Sequence, residues 1–227
     1  MLLNISSVLN ADEVTHFNAV LSKTQWIDGS ATSGVQSTLV KNNLQVPEGT
    51  PEAKVLGETI LRALSSNVMF SSATLPLRVF PPLFNRYDVG MEYGTHVDNT
   101  IRHIASARQM MRTDISCTLF LTDPGEYEGG DLVIGDGHGE TRVKLAAGDM
   151  LVYPADNLHR VEPITQGSRW ASFFWVQSMV RDNGNRALLY RFDQAITAAR
   201  AELGDKHASV LGLTSTYHNL LRKWVET

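Results

Sequence analysis

Three side chains in this sequence have the types needed to hold a transition metal while leaving room for chemistry at it. His96-Val97-Asp98 places an imidazole and a carboxylate two residues apart. On a strand, positions i and i+2 share a face, so these two groups converge while Val97 turns into the opposite layer. The triplet alone is weak evidence, since the chain holds seven histidines. His159 strengthens it, because it follows the Gly148-Asp149 turn and an apolar run. Two histidines and one carboxylate on one face of a metal leave the remaining positions open. That facial arrangement suits ferrous iron, which must accept a bidentate cosubstrate and dioxygen. A structural zinc would instead be closed by its protein ligands.

Arg169 narrows the chemistry. It lies ten residues after His159, among apolar strand residues, and one hairpin between them would return the guanidinium to the same cavity. A buried cation needs an anion, and the fork geometry of arginine suits a carboxylate. A dicarboxylate with one end on the metal and the other on Arg169 meets both demands, and 2-oxoglutarate has that structure. The other histidines, His16, His103, His138, His207 and His218, are expected at the surface or at helix caps. His138 sits in a glycine-rich turn with no helix after it, so it is no phosphate cradle.

The elements that must position these groups can be read along the chain. Asn10 with Glu13 three residues later forms a capping-box signal, followed by Val14, Phe17, Val20 and Leu21 at helical spacing. A second helix is expected from Pro51, with Val55, Leu56, Ile60, Leu61 and Leu64 on one face. Polar residues 30–43 read as strand or loop. From 75 to 178, short apolar runs alternate with Gly, Pro and Asp. The expected strands are 75–80, 84–87, 115–121, 132–134, 142–145, 150–153 and 171–176. Their close spacing favours a β-sandwich or jelly roll over a parallel sheet. Segment 99–112 is too long for a simple hairpin and carries Arg102, His103, Arg108 and Arg112, so it is expected as a lid or substrate-facing loop. Residues 179–227 return to helix. Leu188, Leu189, Phe192 and Ile196 form one stripe, and Tyr217, Leu220, Leu221, Trp224 and Val225 another, with Gly204 and Gly212 as separators.

Bulk properties exclude several classes. With 227 residues, 43% apolar and 19% charged, the chain can bury a full core. A net charge of −4 without a basic stripe argues against nucleic acid. One cysteine, Cys117, in an apolar run reads as a buried structural thiol and excludes a disulfide framework. No apolar run is long enough for a membrane span, and the N-terminus lacks a basic leader, so the cytoplasm is the expected compartment.

These residues resemble a known family. The order His96-x-Asp98, His159, Arg169 is similar to that of the iron/2-oxoglutarate oxygenases, and closest to their prolyl-4-hydroxylase-like branch. Arg-Tyr-Asp-Val-Gly-Met-Glu-Tyr-Gly-Thr-His-Val-Asp-Asn (86–99) matches the strand leading into the metal. Residues 114–122, Glu-Gly-Gly-Asp-Leu (128–132) and Arg-Trp-Ala-Ser-Phe-Phe-Trp (169–175) match later strands. Length and helical tail look like the bacterial PKHD-type hydroxylases. The resemblance implies an α+β protein. Its core would be a double-stranded β-helix (jelly-roll, cupin-like), with N-terminal helices packed on it and a small C-terminal helical unit. It further implies an oxygenase domain over 1–178, with its catalytic core about 78–178, and a helical extension over 179–227.

By the same resemblance His96, Asp98 and His159 ligate Fe(II) and Arg169 anchors 2-oxoglutarate. Tyr87 hydrogen-bonds the cosubstrate, Trp175 lines the cavity and Asn99 supports the metal ligands. Phe120 stands where some relatives carry a tyrosine. The implied reaction hydroxylates an unactivated C–H bond with O₂, releasing succinate and CO₂, with L-ascorbate as a family-implied accessory. The substrate is expected to be a small molecule or peptide, with no nucleic acid or membrane partner and with a homo-oligomer through the C-terminal helices left open. Two other readings stand beside this one: a cupin-like metal- and carboxylate-binding module without turnover, and an interaction module built on the helical tail.

Overall fold

Local signals set the helices where the sequence places them. In the computed structural model, which describes residues 1–32, 38–104, 108–135, 137 and 139–226, α1 (Ala11–Leu21) starts at the Asn10 cap. Asn10 Oδ1 accepts from the Glu13 N–H, and Glu13 accepts from the Asn10 N–H, closing the capping box. Helix α2 (Pro51–Ser65) carries Pro51 at its first turn and the Thr50 side chain as cap. A short helix that the apolar pattern did not announce, α3 (Val68–Thr74), begins at an Asn67 cap and ends at Leu75 in the left-handed region. Helices α4 (Asn183–Leu203) and α5 (Ala208–Trp224) follow. Gly204 ends α4, but Gly212 lies within α5, since a single glycine costs a helix only about 1 kcal/mol. Among the described residues, no helix is long and apolar enough to cross a membrane.

The strands run in chain order. They are β1 (Leu3–Ile5), β2 (Ile27–Asp28), β3 (Lys41–Asn42), β4 (Leu44–Gln45), β5 (Pro76–Val79) and β6 (Leu83–Tyr87). Then come β7 (Glu92–His96), β8 (Ile101–Ile104), β9 (Gln109–Arg112), β10 (Ile115–Phe120), β11 (Tyr127–Gly129) and β12 (Leu132–Gly135). The last are β13 (Glu140–Val143), β14 (Met150–Pro154), β15 (His159–Val161), β16 (Ile164–Gly167) and β17 (Arg169–Ser178). Strands β1-β14-β10-β17-β6-β4-β2 form a large antiparallel sheet, with β5 also on β17, and β13-β12-β15-β7-β3 form a second. The pairing is antiparallel throughout, giving a mixed helix-and-sheet protein.

Alternation along the strands sorts the side chains into two layers. Cys117 and Leu119 of β10, Val152 of β14 and Phe174 and Val176 of β17 pack under α1 and α2, with Phe17, Leu21, Leu56, Ile60 and Leu64. Their neighbours in sequence, including Phe120, Leu151 and Tyr153, face Leu132, Ile134 and Val161 of the second sheet. On β17 this parity sends Arg169, Phe173 and Trp175 to the inner layer. A one-residue slip would bury all three against the helices.

Two expectations change. Within segment 99–112, Ile101 to Ile104 of β8 pair antiparallel with Gln109 to Arg112 of β9, so the described part is paired strand and not loop. His159 and Arg169 are not joined by one hairpin. β15 belongs to the second sheet, β16 pairs with β11, and β17 belongs to the large sheet, so the step crosses from one layer to the other.

The α5 stripe packs within the chain. Tyr217, Leu220, Leu221 and Trp224 cover Leu75, Val180 and Leu189, whereas Leu188 is exposed. Leu189 is fully buried at the centre of this contact. Leu189→Ala should therefore cost about 2–5 kcal/mol in urea unfolding. A cost under about 1 kcal/mol would show that the contact adds little to the fold.

Candidate functional site

The site is assembled where the two sheets face each other. His96 ends β7 and His159 opens β15, and the two are direct cross-strand partners. Their ring centroids are 4.2 Å apart. Asp98 lies two residues past the end of β7, so it reaches the site from a loop start and not from a strand. For the same reason Val97 is not in the opposite layer; it is 48% exposed. The ligand atoms of His96, Asp98 and His159 nonetheless all lie within 4.8 Å of one another, an arrangement that could hold a metal ion.

Backbone carbonyls fix the histidine tautomers. His96 Nδ1 donates to Gly94 O at 2.8 Å and His159 Nδ1 donates to Asn157 O at 3.0 Å. A carbonyl only accepts, so each proton sits on Nδ1 and each Nε2 lone pair is free for a metal. Burial, and next the neighbouring His159, pull the His96 pKa down to about 4, which keeps that imidazole neutral. His159 Nε2 is 3.8 Å from Asp98 Oδ2. Ser116 Oγ donates to the same oxygen at 2.5 Å. Tyr93 stacks on His96 with centroids 3.6 Å apart, and Tyr153 meets His159 edge-on at 5.2 Å.

Arg169 occupies the inner wall. It is 1% exposed and pairs across the ladder with Tyr87. Its guanidinium lies 4.9 Å from the Phe120 ring and 5.5 Å from the Tyr87 ring. Gly130 makes room for its stem: at φ 67 a Cβ there would stand 3.2 Å from Arg169 Cδ and 2.3 Å from Ile164 Cδ1. The Nε and Nη2 atoms are buried without a hydrogen-bond partner, and no described carboxylate pairs with them. Burial raises the Tyr87 phenol to about 12, with Arg169 opposing, so it stays protonated. Phe120 leaves the site without a second hydroxyl at that strand position and offers its ring face to the cation instead.

The residues singled out from the sequence as ligands, anchor and cavity wall (Tyr87, His96, Asp98, His159, Arg169 and Trp175) line one cavity. Asn99 also lines it, and its carbonyl accepts from Thr113, while Ser116 donates to Asp98. Cys117 borders the cavity but is buried in the layer packed under α1 and α2, and burial pushes its thiol pKa up. His207 caps α5 through Nδ1, His16, His103 and His218 are exposed, and His138 lies outside the described residues. Sequence reasoning missed Ser116, Tyr93 and Tyr153 around the ligands, and Lys41 and Phe173 on the cavity wall, while Arg102 of the segment expected to face substrate does line the cavity. Strand parity could have found Ser116, because β10 residues alternate and Ser116 shares a face with Phe120, which stands where some relatives carry a tyrosine.

The donor set fits a ferrous ion with a carboxylate cosubstrate. Two imidazoles and one carboxylate converge, and a buried guanidinium with two orphaned N–H donors faces the same space.

Residues 82–177 match the model of the 2OG-Fe(II) oxygenase superfamily, and residues 183–226 match the PKHD-type hydroxylase C-terminal domain. The chain is 58% identical over 226 residues to the PKHD-type hydroxylase GOX0559 of Gluconobacter oxydans (strain 621H), with all of both chains covered. Among solved structures it resembles a Pseudomonas putida prolyl-4-hydroxylase, with TM-score 0.52 and 17% identity over 78% of this chain and 92% of that one. It also resembles HygX from Streptomyces hygroscopicus, with TM-score 0.55 and 15% identity over 78% and 82%. At such identities the likeness speaks for the fold alone. The full-length match to GOX0559 and the two family models go further: the chain belongs to the PKHD-type hydroxylases of the 2OG-Fe(II) oxygenase superfamily.

Proposed function

We propose that His96, Asp98 and His159 hold the Fe(II) of this 2-oxoglutarate-dependent dioxygenase, and that Arg169 receives the distal carboxylate of the cosubstrate. The enzyme hydroxylates an as yet unidentified substrate. When bound, Fe(II) with 2-oxoglutarate and O₂ supplies the oxidising power for the C–H bond, with succinate and CO₂ released. The observation that carries the residue roles is Arg169, a buried guanidinium with two orphaned donors in the cavity that also holds the triad.

The chain's own residues orient and exclude. The Nδ1 bonds to Gly94 and Asn157 aim both imidazoles, and Ser116 holds the Asp98 carboxylate. Tyr87, protonated beneath Arg169, can donate a hydrogen bond to a carboxylate seated there. Trp175 contributes cavity wall. These residues are set in what we read as a double-stranded β-helix, the jelly-roll arrangement. The support is two facing antiparallel sheets and the resemblance to oxygenases such as HygX, whose structure holds nickel and 2-oxoglutarate. We divide the chain into an oxygenase domain, 1–178, and a helical extension, 179–227. Ascorbate as accessory reductant and a cytoplasmic setting belong to the same reading. A ferrous site and a lone buried thiol both favour a reducing compartment. A homo-oligomer through the tail would use Leu188, Leu203 and Leu211, which α4 and α5 leave exposed.

The direct test is succinate formation under air with Fe(II) and 2-oxoglutarate, paired with the anaerobic charge-transfer absorption of the bound pair. Neither signal above a metal-free control would overturn the assignment. Ser116→Ala is expected to weaken Fe(II) by about 10–100-fold, the usual loss for an outer partner of a ligand. An anaerobic Fe(II) titration with unchanged affinity would show that the Ser116 bond does not tune the site.

A further inference from the structure

The link between β14 and β15 ends on a ligand of the triad and is held from outside the two sheets. Residues 155–158 alone separate Pro154 from His159. Asn157 N–H donates to Pro154 O at 3.2 Å, closing a turn, and Asn157 O accepts the Nδ1 proton of His159. Ala155 N–H donates to Asp114 O at 3.2 Å, and Leu158 O accepts from Gly135 N–H at 2.8 Å, so both ends of the link are fixed. Asp156, between them, is exposed, and its carboxylate is held by helix α4. Asn183 Nδ2, at the first position of that helix, donates to Asp156 Oδ1 and Oδ2 at 3.1 and 3.0 Å.

An exposed hydrogen bond contributes little by itself, because water competes for both partners. This one is built more firmly at its helix end. Arg186 is buried, at 4% exposure, and its Nη1 donates to Val180 O at 2.6 Å and to Arg181 O at 2.9 Å. Its Nη2 donates to Asn183 Oδ1, so the carboxamide oxygen is occupied and the amide nitrogen is left aimed at Asp156. The rotamer freedom that an exposed pair gives up is therefore already lost to Arg186. The acceptor is a carboxylate, which makes the bond charge-assisted. A second contact from the same helical extension, Glu226 to Arg112 at 3.6 Å, lacks this support, and Glu226 is 59% exposed. Of the two, the Asn183 tie is the one able to fix a loop.

We infer that Asn183, oriented by Arg186, is a positioning residue for His159, acting through Asp156 and the Asn157 carbonyl. Holding Asp156 holds the peptide that follows it, and that peptide's neighbour, Asn157 O, aims the imidazole. The helical extension thereby takes part in the metal site, although none of its described side chains lines the cavity. This rests on the reading of His159 as an Fe(II) ligand.

The test is an anaerobic Fe(II) titration of the full-length protein, with the charge-transfer band of its 2-oxoglutarate complex recorded at saturation. Asn183→Ala and Asp156→Ala should each weaken Fe(II) by about three- to tenfold, less than removal of a direct outer partner because a peptide intervenes. Each should also shift the band, and the double variant should lose no more than either single one. Exchanging the partners, Asn183→Asp with Asp156→Asn, should restore affinity and band, since an amide again donates to a carboxylate. Leu189→Ala loosens the same extension without touching the tie, so it should bind Fe(II) as wild type at a temperature where its melt shows it folded. If Asn183→Ala fails to fold, Asp156→Ala, on an exposed link, decides. Wild-type affinity and band in the alanine variants overturn the proposal. So does an equal loss in Leu189→Ala, which would mean that the extension acts through stability alone, or an exchange variant that stays as weak as Asn183→Ala. If wild type itself binds no Fe(II), the underlying ligand reading fails instead.

Discussion

Replacing Asp98 with alanine is expected to remove Fe(II) binding and turnover together while leaving the fold intact. Asp98 is the one carboxylate of the triad, and without it two imidazoles remain. Two nitrogen donors neither complete the face nor offset the charge of a divalent ion. The loss should exceed the roughly 10–100-fold that follows removal of an outer partner. Stability should change little, because Asp98 lies outside the β7 ladder and its side-chain bond is from Ser116. Anaerobic Fe(II) titration and succinate release measure the two effects. Retained iron at unchanged stoichiometry would remove Asp98 from the ligand set.

Arg169→Met is expected to separate cosubstrate from metal. Iron should bind as before, since Arg169 makes no contact with the ligands that fixes their orientation. Affinity for 2-oxoglutarate should fall by about 3 kcal/mol, or roughly 100-fold, as when one partner of a buried charged pair is lost. The same change should not destabilise the ligand-free protein. It removes a 1%-exposed cation whose Nε and Nη2 lack partners, and puts an apolar chain of similar length between Phe120 and Tyr87. Replacing an unpaired buried charge with packed hydrocarbon is neutral or stabilising. Arg169→Lys is no rescue, because a point charge cannot reproduce the two-pronged geometry. Unchanged 2-oxoglutarate affinity in Arg169→Met would exclude the anchor role. A fall in thermal stability would mean that the guanidinium has a structural partner in solution.

Much of the site was legible because its signals are short-ranged. The Asn10–Glu13 capping box, the Pro51 start and the alternating runs of β10, β14 and β17 depend on residues a few positions apart. Residue types at His96, Asp98, His159 and Arg169 carried the chemistry, and all four reach one cavity. The hairpin at 99–112 was misread because its pairing, Ile101 to Arg112 and inward, leaves no period-two apolar pattern: Ile101 and Met110 are exposed.

What the sequence determined by itself was the inventory: which ligand atoms exist, which segments can be strands, and that a buried arginine must meet an anion. Only the tertiary structure decided how these converge. Asp98 reaches the triad from beyond its strand, and the His159-to-Arg169 step crosses from one sheet to the other. Ser116, Tyr93, Lys41 and Arg102 join the site from four separate strands. Spacing along the chain fixes the face a side chain takes on its own strand. The register of β17 on β6, which sets Arg169 over Tyr87, and the facing of one sheet by the other are settled by packing of the whole core. So the triad that opens this account was written in residue types. The setting of that triad, with Arg169 and Tyr87 on the facing sheet, was decided by the fold.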